Sequence, residues 1–180
     1  FKSHVRYLSS AMLEGRKAGS EGERLAAEYV EDFFRSWDID LLSPPDKGDE
    51  FGIRMENGDT LTSRNVIGFI QGYDKTLRNQ YVLVGARLDN LGTMTMTVDA
   101  QPYEKIFYGA NGNASGLAMM MELARRVKTN SVLFRRSILF VALGASSETY
   151  AGAWYFLNRS FKDVETCLGT IWIVRNKYSA

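Results

Sequence analysis

The chain has 180 residues and a nearly balanced charge, with 22 Lys and Arg against 21 Asp and Glu and a formal net charge of +1. Basic residues are spread along the chain rather than gathered into a stripe, which argues against a nucleic-acid-binding protein, and no apolar run is long enough to cross a bilayer. The length and a hydrophobic content of 45% favour a single domain, residues 1–180, with one sizeable core.

The first strong pattern, in residues 20–37, is that of an amphipathic helix. Ser20 and Glu23 match a capping box at its start. Apolar residues then recur at helical spacing, namely Ala26, Tyr29, Val30, Phe33 and Trp37. A less regular helix is predicted before it, over residues 5–13. The run Ser-Pro-Pro-Asp at residues 43–46 predicts a loop.

Several runs have the character of β-strands. Residues 51–55 alternate, Asn57-Gly58 predicts a hairpin turn, and residues 65–70 provide the partner strand. Three nearly continuous apolar runs follow, at residues 81–86, 137–143 and 170–174. Such runs are typical of strands that are covered on both faces by helices.

Helical patterns separate these strands. Residues 113–128 place one apolar stripe on a helix, and residues 148–158 predict another helix. Residues 92–108 fit neither pattern and are interpreted as an irregular loop or a short hairpin. Strands that alternate with helices predict an α/β fold, a three-layer α/β/α sandwich around a mixed, mainly parallel sheet.

Binding sites in open α/β sheets form at the carboxyl ends of the strands. Three predicted strand ends are therefore of interest: residues 87–89 (Arg-Leu-Asp), 144–148 (Gly-Ala-Ser-Ser-Glu) and 175–177 (Arg-Asn-Lys). The loop at residues 109–116, Gly-Ala-Asn-Gly-Asn-Ala-Ser-Gly, precedes a predicted helix and supplies a fourth segment.

These segments together resemble the M28 family of zinc aminopeptidases, which includes glutaminyl-cyclase-like proteins. Gly15-Arg16 with Gly19-Ser20 is similar to the family pattern G-R-x-x-G-S, and residues 63–68 resemble its R-N-V-I-G strand. Residues 84–89 are similar to V-G-A-H-x-D, residues 109–116 to G-A-N-D-N-A-S-G, and residues 140–147 to F-x-x-x-G-A-E-E. The resemblance implies a zinc-exopeptidase-like fold that is short at its C-terminus.

The same resemblance implies that the positions of the metal ligands and the general base are changed. The family has a ligand His where this chain has Arg87, a bridging Asp at Gly112, and a further Asp ligand at Asn176. Its Glu-Glu pair, the general base followed by a ligand, falls on Ser146 and Ser147. We therefore expect no metal ligands, no catalytic residue and no cofactor, although the family would use zinc.

Zinc chemistry agrees with this expectation. Zn²⁺ takes imidazole nitrogen, thiolate or carboxylate oxygen at about 2.0–2.3 Å, whereas glycine has no side chain and an arginine offers no lone pair. The only histidine, His4, lies far in sequence from these segments. A nucleophilic serine at Ser146 or Ser147 would need a nearby base, and none is evident.

Five polar residues remain as candidates for a cleft that binds a ligand: Arg87, Asp89, Asn111, Asn113 and Glu148. Asp89 is predicted to pair with Arg87; the alternative is that Arg87 points to solvent. Glu148 is better interpreted as an acidic residue at a helix N-terminus than as a shifted general base.

Two functions remain open. The first is a non-catalytic peptidase-like protein that binds a peptide or a partner protein. The second is an active zinc aminopeptidase completed by residues that are not in this chain. An exposed sheet edge is expected to favour pairing with another chain. The resemblance alone implies an extracytoplasmic (periplasmic or secreted) location.

Overall fold

The structure, a computed structural model, describes residues 1–42, 49–54, 58–147 and 149–161, and the backbone of 167–173. Its helices are α1 (Lys2–Leu8), α2 (Glu21–Ser36), α3 (Ser115–Thr129) and α4 (Ala151–Tyr155). Its strands are β1 (Asp40–Leu41), β2 (Asp49–Arg54), β3 (Thr60–Ile70), β4 (Tyr81–Arg87), β5 (Gly92–Val98), β6 (Gln101–Phe107), β7 (Ser137–Leu143) and β8 (Cys167–Ile173).

A six-stranded sheet in the order β1-β3-β7-β4-β8 forms the centre, and β2 also pairs with β3. Strands β7, β4 and β8 are parallel, whereas β3 runs antiparallel to β1, β2 and β7. Five of these six described strands therefore point in the same direction. The prediction of a mixed sheet is confirmed.

Helices cover both faces of this sheet. Alternate side chains of β3, β4 and β7, including Val66, Val84 and Phe140, pack with α1, α2 and α3 on one face. The intervening side chains, including Leu83 and Val141, pack on the other face with Phe156, which follows α4. Since alternate residues of a strand point to opposite faces, burial on both explains the continuous apolar runs in the sequence. The three-layer sandwich is confirmed.

Helix α2 matches its prediction closely, but only half of the expected capping box forms. The Ser20 hydroxyl accepts a hydrogen bond from the backbone N–H of Glu23 at 3.3 Å. The Glu23 carboxylate does not return to the N–H of Ser20 and instead accepts from the N–H of Gly19 at 2.7 Å. The Glu23 carboxylate does not complete the capping box because it also accepts hydrogen bonds from Ser63 and Ala145.

Three other helix boundaries differ from the predictions. Helix α1 ends at Leu8, where the Ser9 hydroxyl donates to the Val5 carbonyl, and a 3-10 turn (Ala11–Leu13) follows. Helix α3 begins at Ser115 because the backbone of Gly112 and Asn113 is not helical. Helix α4 begins only at Ala151, after Tyr150 with a left-handed φ of 55°, and residues 156–160 continue it as a wider turn.

Residues 92–107 form a regular hairpin, which decides between the two interpretations of this segment. Strands β5 and β6 pair antiparallel from Gly92↔Phe107 to Val98↔Gln101 as a separate two-stranded sheet. The two turn residues, Asp99 and Ala100, have φ values of 49° and 63°. Positive φ at both positions is the mark of a type I′ turn, whose twist suits a tight hairpin.

A β2–β3 hairpin forms as predicted, with Arg54 opposite Thr60 next to its turn. The partner of β2 is however residues 60–65 rather than the predicted 65–70, because residues 66–70 pair with β7 in the central sheet. The predicted loop at residues 43–46 and the turn residue Asn57 lie outside the described residues. Across the described part of the chain, none of the helices combines the length and the apolar character needed to span a bilayer.

Candidate functional site

The carboxyl ends of β4 and β7 lie side by side, because the two strands are parallel neighbours with Arg87 opposite Leu143. The segments that follow them are joined by hydrogen bonds between Asp89 and the backbone of Ser146 and Ser147. The loop that begins at Gly109 reaches the same edge, where the side chain of Asn90 donates to the Phe107 carbonyl. Three of the four segments identified in the sequence thus meet at one edge of the sheet.

Asp89 holds this edge together. Its side chain is only 1% exposed, and its two carboxylate oxygens accept hydrogen bonds from the N–H groups of Ser146 at 2.7 Å and Ser147 at 2.9 Å. Desolvation by burial raises the pKa of Asp89, while these hydrogen bonds oppose the rise. The carboxylate is therefore committed to positioning the 144–147 segment.

The predicted ion pair between Arg87 and Asp89 is wrong. Among the described residues, no oxygen of Asp89 lies within 4.0 Å of an Arg87 nitrogen, since the backbone of the Ser146 and Ser147 segment occupies the carboxylate. Arg87 is partly buried, and within the described part of the chain its Nε has no hydrogen-bond partner. This buried N–H is therefore a donor that has no acceptor among the described residues.

The hydroxyls of the two serines are engaged with nearby carbonyls. Ser146, 2% exposed, donates to the Gly144 carbonyl at 3.0 Å, and Ser147 donates to the Asp89 carbonyl at 3.0 Å. The only histidine lies elsewhere, with His4 Nδ1 2.8 Å from the Tyr29 hydroxyl at the α1–α2 contact. Among the described residues, neither serine donates its hydroxyl to a side chain that could act as a base.

Glycines in the loop at residues 109–116 differ in how strictly the backbone requires them. Gly109 has a φ of 64°, and a Cβ there would lie 2.4 Å from the Asn90 side chain; a Cβ at Gly116 would lie 2.3 Å from Asn113. Gly112 has a φ of −122°, and among the described residues a Cβ there would meet only Asn90, at 3.2 Å. Glycine is therefore favoured at 109 by its left-handed φ and at 116 by the close approach of the Asn113 side chain, whereas position 112 has neither feature.

The remaining candidate residues are not equally accessible. Asn111 is exposed, Asn113 is fully buried, and the peptide bond between Gly112 and Asn113 is cis. Glu148 and Asn176 lie outside the described residues. At α4, the Tyr155 ring stacks on Phe51, whereas Trp154 is 60% exposed and Tyr150, which precedes the helix, is 69% exposed.

Arg16 is a structural residue of this site that the sequence identified only as part of a motif. Its side chain is 0% exposed, and its guanidinium donates to four backbone carbonyls, those of Leu8, Leu88, Tyr108 and Gly109. Desolvation lowers the pKa of Arg16 to about 10, the charge of Asp89 opposes that change, and the charge of Arg87 adds to it. The guanidinium stays protonated near neutral pH and ties α1, β4 and the loop at Gly109 together.

Glu23 plays the corresponding role on the other side of the 144–147 segment. Only 2% exposed, its carboxylate accepts from the Gly19 N–H at 2.7 Å, the Ser63 hydroxyl at 2.8 Å and the Ala145 N–H at 3.0 Å. Desolvation raises the pKa of Glu23 to about 7, against the effect of these hydrogen bonds. The capping-box pattern identifies Glu23 as a helix-cap residue but does not predict that its side chain is buried.

The sandwich and the strand-end location of the site define a domain of the exopeptidase-like α/β class. A family model described as peptidase family M28 matches residues 65–169, more than half of the chain. The chain belongs to peptidase family M28. Among curated proteins, none matches the sequence significantly.

Solved structures agree on the fold. A glutaminyl cyclase from Fimbriiglobus ruber superimposes with a TM-score of 0.70 at 18% identity, covering 94% of this chain and 58% of that protein. A Zn-dependent exopeptidase from Parabacteroides distasonis gives 0.69 at 13% identity, with coverage of 94% and 58%. BSAP, a zinc aminopeptidase from Bacillus subtilis, gives 0.66 at 16% identity, with coverage of 87% and 64%. The chain thus spans about three fifths of the length of these proteins.

Proposed function

We propose that this chain is a non-catalytic M28 peptidase-like protein whose strand-end cleft binds a carboxylate-bearing segment of a peptide or a partner protein. The observation that carries the proposal is Arg87, a partly buried cation with an unpartnered Nε among the described residues, at the position where the family has a histidine ligand. A cation at this place opposes a metal ion and favours an anion.

The residues at the family's ligand positions do not fit zinc. Arg87 has no lone pair to donate, Gly112 has no side chain, and the Ser147 hydroxyl donates to the Asp89 carbonyl. Within the described residues, no three His, Cys, Asp or Glu side chains are grouped so as to hold a metal ion. At an effective dielectric constant near 20, two unit charges 4 Å apart repel by about 4 kcal/mol, and a divalent ion about doubles that cost.

Gly112 strengthens this interpretation, because its backbone does not require glycine. Since, among the residues that the structure describes, a Cβ at 112 meets only Asn90 at 3.2 Å, an aspartate fits there with a small adjustment of Asn90. The glycines at 109 and 116, which the local structure favours, are kept. The scaffold of the family loop is thus preserved where the position of the bridging carboxylate has changed.

A carboxylate is the ligand that the cleft suits best. A guanidinium forms short, charge-assisted and often bidentate hydrogen bonds with carboxylates. The buried charge of Arg16 adds to the positive potential, whereas the nearby negative charge of Asp89 is satisfied by backbone N–H groups. The exposed amide of Asn111 offers a further polar group at the rim.

Metal analysis combined with an aminoacyl-chromogen assay tests the loss of catalysis. After incubation with zinc and desalting, we expect well under one equivalent of bound metal and no turnover above that of buffer. The matched variant Gly112→Asp introduces one carboxylate with a small shift of Asn90 and is expected to raise zinc retention without restoring turnover. Stoichiometric zinc in the unmodified chain together with chelator-sensitive hydrolysis would establish the alternative, an active aminopeptidase.

Binding of paired peptides tests the ligand class. From a peptide library presented with either free or amidated C-termini, we expect retention of free-carboxylate members only, with Arg87→Gln weakening their binding about tenfold or more because a charge-assisted hydrogen bond is lost. Arg126→Gln, which removes an exposed cation on α3, is the control and should bind as the unmodified chain does. Equal retention of amidated peptides, or binding that survives Arg87→Gln, would count against the proposal.

A further inference from the structure

The hairpin of β5 and β6 extends from the domain as a ribbon with little support of its own. Its base is attached near Gly15, whose carbonyl accepts from the Gly92 N–H at 3.0 Å, and through the Asn90 side chain. Beyond Thr93, every residue from Met94 to Lys105 is exposed. A two-stranded ribbon is marginally stable in water, so a long one that is exposed on both faces is expected to gain from further pairing.

The two outer edges of this ribbon differ in chemistry. The edge of β6 carries Pro102, which has no N–H to offer, and the charged residues Glu104 and Lys105. The edge of β5 reads Thr-Met-Thr-Met-Thr-Val over residues 93–98, with no charge and no proline. Proteins protect strand edges from unwanted pairing with charges and proline. By this criterion β6 is protected and β5 is open.

The two faces of β5 also differ, one carrying apolar side chains and the other threonines. Met94, Met96 and Val98 lie on one face of β5, opposite Lys105, Tyr103 and Gln101 of β6. Met94 is 41%, Met96 39% and Val98 55% exposed. The threonines at 93, 95 and 97 lie on the opposite face. Alternate residues of β5 direct their N–H and C=O groups away from β6, so these backbone groups are available to another strand.

We propose that the β5 edge pairs antiparallel with the β5 edge of a second copy of this chain, giving a four-stranded sheet in the order β6-β5-β5-β6. A two-fold contact brings each strand against its own sequence, so a charged edge would repel itself, whereas the uncharged β5 does not. Centring the register on Met96 places Met96 opposite its own copy, Met94 opposite Val98, and Thr95 opposite Thr97. Apolar side chains then face apolar side chains and threonines face threonines. The apolar row of β5 therefore continues across the two-fold axis.

The contact is small, and it does not rest on the cleft function proposed above. Seven residues per strand bury less than the roughly 1,200 Å² of a stable interface, so we expect a weak dimer with a dissociation constant on the order of 10–100 µM. Sedimentation velocity over a loading range of about 2–300 µM should therefore show a concentration-dependent shift from monomer to dimer.

Charge substitution at the two-fold axis provides the decisive experiment. Met96→Lys and Met96→Glu each place like charges directly opposite one another, so each variant alone should dimerise at least about tenfold more weakly. An equimolar mixture of the two should regain the dimer, because Lys then faces Glu. Met119→Lys and Met119→Glu, at a methionine that is 52% exposed on α3, are the matched controls and should dimerise as the unmodified chain does.

Each other outcome overturns the proposal. A chain that stays monomeric over the whole range leaves the β5 edge to a strand of a different protein. A dimer that survives Met96→Lys uses another surface. Loss of the dimer in both Met96 variants without rescue in the mixture means that the residue does not face its own copy.

Discussion

Replacing Arg16 by alanine is expected to lower the free energy of unfolding by about 4 kcal/mol or more, as measured by urea denaturation at pH 7. The guanidinium is fully buried, and its removal leaves four backbone carbonyls, those of Leu8, Leu88, Tyr108 and Gly109, without their donor. Each buried acceptor that loses its hydrogen bond costs about 1–3 kcal/mol, and partial entry of water reduces the sum.

Two comparisons give this prediction its specificity. Arg16→Lys keeps the charge but cannot reach four carbonyls from one ammonium group, so its stability should fall between those of Arg16→Ala and the unmodified chain. Arg24→Ala removes an arginine that is 49% exposed and pairs with Glu21 and Glu28 on the surface of α2, and it should leave the unfolding midpoint nearly unchanged. Similar losses for Arg16→Ala and Arg24→Ala would contradict the buried role of Arg16.

Glu23 is expected to make the chain less stable as the pH rises from about 4.5 to 7. The folded-state pKa of about 7 lies above the ordinary value of 4.5, so in this interval the folded state holds a proton that the unfolded state has released. Stability from this group is therefore fully present below pH 4.5 and is lost as the pH rises through 7, by about 3 kcal/mol in total.

Comparison with Glu23→Gln measures this effect directly. Since glutamine does not titrate, the difference in unfolding free energy between the unmodified chain and Glu23→Gln should change by about 3 kcal/mol between pH 4.5 and pH 8, with the variant gaining at high pH. Glu104→Gln, which removes an exposed carboxyl on β6, is the matched control. Curves for Glu23→Gln and the unmodified chain that run parallel over this range would refute a raised pKa.

Glu23 binds the short segment after β7 directly, whereas Arg16 binds next to Asp89, which holds the same segment. Glu23 binds the N–H of Ala145, Asp89 binds those of Ser146 and Ser147, and Arg16 binds the carbonyl of Leu88 next to Asp89. Gly144 allows this close approach, since a Cβ there would lie 2.3 Å from the Arg64 carbonyl. Buried carboxylates therefore hold the backbone of the 144–147 segment in place at the carboxyl end of the sheet.

Sequence patterns were reliable where burial is periodic. Helix α2 and strands β4 and β7 lie within a few residues of their predicted bounds, because each buries a regular set of apolar side chains. The hairpin at residues 92–107 stayed undecided because its alternating Thr and Met face solvent and no core imposes a pattern. Periodicity predicts the start of α4 too early, because it does not reveal that Tyr150 takes a left-handed backbone conformation.

For the candidate site too, the sequence predicted the location of the segments but not all of the contacts between them. Motifs at the strand ends located the segments that meet, since the ends of parallel neighbours lie at one edge of the sheet. They did not predict the partner of Asp89, because the competing donors are backbone N–H groups that lie 57 and 58 residues away in sequence. A side-chain pairing inferred from two nearby residues cannot account for such distant donors.

By itself, the sequence determined the three-layer fold and the M28 resemblance, because these depend on residue type and spacing. Only the tertiary structure decided which charges are buried and what they hold. Arginine and glutamate are residue types that usually lie on the surface. Arg16 and Glu23 are buried here because backbone carbonyls and N–H groups from distant segments form hydrogen bonds with them in place of water. Such convergence is set by the packing of the whole domain.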